Sequence, residues 1–188
     1  MKKKFTSLLI ILIAIHGAHA QFYKTVLPSE AFSSPLSVIV QDFKKNFSSI
    51  QGDQLSSGAD VEVYQSKVII PGSLHCSIFR FHSLLDTTAS WQATMYDGDS
   101  YEEAMKIYKN TVRQLTRTKM KWIDSRVVSF TGQLETPHEN AGFAVTTLKL
   151  NIADKAYSIF IAEIDLTNTY SGWEVHLNLN NKKSDTDE

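Results

Sequence analysis

The chain has 188 residues, with 19 basic and 20 acidic side chains, 43% apolar residues and a single cysteine. That composition excludes a collagen-like, low-complexity or disulfide-stapled protein. The near-neutral balance speaks against nucleic acid or an anionic membrane as partner, because both call for concentrated basic surface.

The chain opens with Lys2, Lys3 and Lys4, followed by an apolar run from Leu8 to Ile15 and then Ala18-His19-Ala20. A basic start, a short apolar core and small residues at the two positions read by a signal peptidase form the pattern of a secretory signal. The run is too short to span a bilayer, which takes roughly 20 apolar residues. The sequence thus predicts that residues 1–20 are removed near Ala20-Gln21. The product is periplasmic or secreted, with no membrane span. Loss of three lysines leaves sixteen basic against twenty acidic side chains, a formal charge of −4. Gln21 followed by an aromatic, and the triplet Asp86-Thr87-Thr88, resemble features of exported bacterial proteins in which such a Gln cyclises and such a triplet carries an O-linked glycan.

About 168 residues then make one domain, 21–180, with a solvated tail over 181–188. Ser34-Pro35 predicts a helix start, and Leu36, Ile39, Val40, Phe43 and Phe47 recur at helical spacing over 35–47. The stretch 51–59 reads as a polar loop. From Asp60 the period becomes two, giving strands around Val61–Ile70, Leu74–Phe81 and Trp91–Tyr96. Ser100 and Glu103 form a capping box for a second helix over 101–118, whose stripe is Tyr101, Ala104, Ile107, Tyr108, Val112 and Leu115. Strands then follow over 126–131, 143–152, 156–165 and 172–180. Along the last of these, Trp173, Val175, Leu177 and Leu179 face one way and Glu174, His176, Asn178 and Asn180 the other.

The order α-β-β-β-α-β-β-β-β predicts an α+β fold with two helices on one face of a mostly antiparallel sheet. The two helix-plus-meander halves suggest a structural duplication, although the residues show no convincing repeat.

Candidate chemistry is sparse. Cys76 falls on the apolar face of its strand with Leu74 and Ile78, away from His75, and reads as a buried small hydrophobe. No histidine pair among His75, His82, His138 and His176 has a spacing that places two metal ligands on one face. Asp97-Gly98-Asp99 lacks the later ligands of a calcium loop. Glu163 and Asp165 share a strand face but read as surface acids rather than a glycosidase pair. Trp91 and Trp173 read as core. The residues left as binding candidates are Trp122, beside Lys121 just past the second helix, His138 and Glu139 in the long 132–142 loop, and His176. Neither a catalytic motif nor a cofactor or metal fingerprint is present.

The expected function is therefore a non-enzymatic interaction module of the bacterial envelope, binding another envelope or extracellular protein or a surface polymer. The alternative is a small periplasmic hydrolase or ligand-binding protein, with His138, Glu139 and His176 gathered in a pocket.

Overall fold

Phe32, Leu36, Ile39 and Val40 lie at i, i+4, i+7 and i+8, one apolar stripe two turns long. In the computed structural model, which describes residues 29–82, 88–122 and 124–181, all four are buried. The predicted signal, residues 182–188 of the tail, and Asp86-Thr87 of the candidate glycosylation triplet lie outside the described residues. The first helix, α1, spans Glu30–Asp42. It starts earlier than Ser34-Pro35 implied, and Pro35 sits inside it. Proline there forfeits one intrahelical hydrogen bond, a loss offset by the extra turn that buries Phe32. The helix also ends earlier than expected, in a 3-10 turn over Phe43–Lys45. Asn46 takes the left-handed conformation, and Phe47 N–H reaches back to the Asp42 carbonyl while Asn46 N–H reaches Phe43. This is a Schellman closure with Asn at the left-handed position.

The second helix, α2, spans Tyr101–Arg117. Ser100 caps it as the sequence predicts, its hydroxyl accepting from the Glu103 amide at 3.2 Å. The reciprocal half of the box differs: Ser100 N–H donates to the Tyr96 hydroxyl rather than to Glu103.

The strands are β1 (Gln51–Ser57), β2 (Val61–Ser66), β3 (His75–Phe81), β4 (Ala89–Gly98), β5 (Met120–Lys121), β6 (Val127–Val128), β7 (Phe130–Thr131), β8 (Phe143–Leu150), β9 (Phe160–Thr169) and β10 (Gly172–Asn181). Eight form one antiparallel sheet in the order β1-β2-β3-β4-β10-β9-β8-β7, and β5-β6 form a small separate ribbon. The α+β architecture is as the sequence predicted, with three local differences. The polar stretch 51–57 is an edge strand, held by backbone pairing to β2, where no alternation was needed because neither face is buried. The segment 126–131 breaks into two short strands serving different sheets. Residues 155–157 form a 3-10 turn, so β9 begins at Phe160 and runs to Thr169, past the end the sequence implied.

Each half is a helix followed by a four-stranded meander, and the last strands of the two meanders, β4 and β10, pair at the centre. Both helices lie on one face. There Trp91, Ala93, Leu177 and Leu179 of the central strands join Phe32, Leu36, Tyr108 and Leu115 of the helices in a single core. Burial of this apolar area is the main stabilising term. Cys76 is in it, and burial pushes its thiol pKa up. The opposite face of the sheet bears no helix among the described residues.

Asp42 joins α1 to this sheet. It is only 6% exposed, and its carboxylate accepts from Ser49 N–H at 3.0 Å and from Ile50 N–H at 3.3 Å. Replacing it by Ala strands two amides at the entry to β1, at a cost of about 2–3 kcal/mol. Asp42→Ala should therefore lower the urea midpoint clearly, while Asp42→Asn, which keeps an acceptor, should lower it less. Equal midpoints for all three proteins would show that the carboxylate does not hold this junction.

Candidate functional site

Side chains alternate across a strand, so burying Val175, Leu177 and Leu179 against α2 sends Glu174, His176, Asn178 and Asn180 to the uncovered face. Register then decides their neighbours. His176 stands opposite Asp165 of β9 and Thr94 of β4, while Asn178 stands opposite Glu163 and Gln92. The pairing of β4 with β10 slips by one residue between Val175 and His176, leaving Met95 unpaired. This bulge turns Tyr96 toward the helices, where its hydroxyl meets Ser100. It leaves Thr94 and Asp97 on the open face, with Asp97 opposite Glu174.

These residues form one hydrogen-bonded network. Gln92 Nε2 donates to Asn178 Oδ1 at 2.8 Å, and Asn178 Nδ2 donates to Asp165 Oδ2 at 2.6 Å. The other oxygen of Asp165 lies 3.2 Å from His176 Nδ1, which fixes the ring and places its proton on Nδ1. His176 Nε2 is 3.4 Å from Glu174, and Asn180 Nδ2 donates to Glu163 at 3.0 Å. On the far side of β4, His75 Nε2 meets the Thr94 hydroxyl at 2.9 Å. The side chains of His176, Asp165 and Glu174 are only 19%, 23% and 27% exposed although no helix among the described residues covers them.

The hydrogen bond to Asp165 raises the His176 pKa above the usual imidazole value; burial opposes this, and the charges of Asp165, Glu174 and Asp97 add to the rise. Among the described residues no group of three or more His, Cys, Asp or Glu side chains converges to hold a metal ion. An Asp-oriented imidazole is half of a hydrolytic arrangement, but the hydroxyl nearest in register, Thr94, is buried and engaged by His75. Among the described residues no hydroxyl is hydrogen-bonded to His176. Neither family models, curated proteins nor solved structures match this chain.

The other residues singled out from the sequence lie elsewhere. Trp122 is partly buried, with its ring edge-on to Tyr157 at 5.3 Å, on the helix-bearing side of the sheet. Tyr157 is itself roofed by Lys44, which pairs with Asp154 at 2.7 Å, and burial pushes its phenol to about 12. His138 and Glu139 are exposed at the end of a loop whose Glu135 N–H bonds to Thr146, a residue of the core face. No hydrogen bond or ion pair joins them to His176 among the described residues. Ser33, Ser34 and Ser37 of α1 face Lys119 and Lys121 across a cleft of about 500 Å³. That cleft lacks a histidine, and Ser37 is bonded to Gln41 and the Lys121 carbonyl.

The sequence singled out His176 but missed Asp165, Asn178, Gln92 and Glu174 as its partners. The alternation along β10 was the available signal. Which strands flank β10 was not, because β4 is some eighty positions away.

A group whose pKa is higher folded than unfolded contributes stability that is fully present below its unfolded value and is lost as pH rises through the folded value. The unfolded value is about 6.5. His176 should therefore make the protein less stable as pH rises from about 6.5 through neutrality, and His176→Gln should flatten that part of the curve. Urea unfolding from pH 5.5 to 9 checks this. Parallel curves for the two proteins would mean that His176 gains nothing from Asp165.

Proposed function

We propose that this protein is a non-enzymatic binding module of the bacterial cell envelope, exported by residues 1–20, and that the open sheet face is where it meets its partner. The carrying observation is the network itself. Gln92, Asn178, Asp165 and His176 hold one another in fixed orientations on a face that no helix among the described residues covers. Partly desolvated polar groups are costly to keep unless a network satisfies them. A surface that served only solubility would be met by freely hydrated charges. Holding acceptors in place in the free protein reduces the ordering cost of binding. Exposed apolar groups flank the network: Phe143 is 62% exposed, with Val145 beside it on the same face of β8. A polar centre with apolar edges suits a macromolecular partner better than a small substrate in a pocket.

A photo-crosslinking residue at exposed Thr147 on this face, compared with one at exposed Lys106 on α2, tests the proposal in bacteria exporting the protein. A discrete crosslinked species in the envelope fraction from position 147 and none from 106 is the expected result. Crosslinks from 106 alone, or a turnover activity abolished by His176→Ala, would overturn it.

A further inference from the structure

We infer that the open face takes an extended segment bearing cationic side chains at alternate positions. This deepens the binding-module reading and rests on it.

Charge is the first support. Glu163 and Asp165 of β9, Glu174 of β10 and Asp97 of β4 all project onto this face, and β4, β9 and β10 contain no Lys or Arg. Apart from His75 and His176, the basic group nearest in register is Lys149 of β8, one row beyond Glu163 and opposite Ile161. Asp165 and Glu174 are mostly withdrawn from water, which strengthens attraction to an arriving cation relative to a fully hydrated carboxylate.

Unfilled hydrogen-bonding capacity is the second. Asn180 spends its amide nitrogen on Glu163, so its Oδ1 is fixed as an acceptor, and that atom is buried without a donor among the described residues. Ser77, in the same cross-strand row as Gln92 and Asn178, is 6% exposed, and no hydrogen bond to its hydroxyl is found among the described residues. For Asn180 Oδ1, a buried acceptor without a partner costs free energy until a donor arrives. Ammonium and guanidinium groups are donors without acceptor capacity.

Spacing is the third. Residues two apart on a strand are about 7 Å apart, which sets the separation of Glu163 from Asp165. An extended chain with Lys or Arg at every second residue repeats at the same interval, so successive cations meet successive carboxylates. On a helix, same-face residues three or four positions apart lie about 5–6 Å from one another, short of that interval.

Titration of the protein with the octapeptide (Lys-Thr)4 tests this, with (Glu-Thr)4 and a neutral glucose hexasaccharide alongside. Isothermal calorimetry gives affinity and backbone amide shifts give location. The expected result is binding of (Lys-Thr)4 alone, with shifts confined to β4, β9 and β10. Added salt should weaken it, and Glu163→Gln/Asp165→Asn/Glu174→Gln should weaken it roughly tenfold or more. If that variant does not fold, Thr147→Lys at an exposed position on the same face should weaken binding instead. No binding of (Lys-Thr)4, or shifts on the helices, overturns the inference. If the hexasaccharide or (Glu-Thr)4 moves the open face instead, the cationic partner is wrong while the binding face stands. If no ligand moves it and crosslinking from Thr147 also fails, both fall.

Discussion

The pairing of β4 with β10 closes the sheet at its centre, and both the core and the candidate site depend on it. β4 ends the first meander and β10 the second, so this ladder is the seam between two halves that otherwise pair within themselves. On the helix side it sets Trp91 against Leu179 and Ala93 against Leu177, and on the open side it sets Gln92 against Asn178 and Thr94 against His176. A one-residue slip would exchange the two sets. Burial of Trp91 and Leu177 therefore fixes the register of the polar network, which could not fix it alone.

The bulge at Met95 is the one break in that ladder, and it serves both layers. Upstream, β4 keeps its apolar residues inward; downstream, Tyr96 turns inward and reaches the first turn of α2, while Asp97 turns outward beside Glu174. The residue whose hydroxyl accepts from the Ser100 amide and the residue that adds charge near His176 are thus adjacent in sequence. Helix placement and site electrostatics are set by the same local distortion.

Much of the architecture was legible in the sequence because periodicity reports burial. α2, with its capping serine and apolar stripe, and β10, with strict alternation, were both found near their observed limits. What was missed had no burial signal to give. β1 is polar on both sides and exists through backbone pairing. The start of α1 was hidden because Pro35 is an apt first helical residue and Phe32 precedes it. At the site, Glu163 and Asp165 were correctly placed on one strand face but read as surface acids at the end of a strand over 156–165. β9 runs to Thr169, so they sit in its middle, opposite Asn178 and His176. Single-strand patterns show which residues share a face; only pairing shows which share a hydrogen bond.

To serve as a binding surface, the open face must be uncovered in the free protein. Cys76 is buried, so an introduced thiol can be followed against a quiet background. Cysteines placed one at a time at Gln65 and Thr147, exposed positions on either side of the network, should react with a thiol reagent at nearly the rate of a free thiol. One at buried Thr146 should be strongly protected. Protection at 65 and 147 comparable to that at 146 would mean that the face is already occupied, by the chain's own termini or by a second copy, and would contradict its assignment as a vacant binding surface.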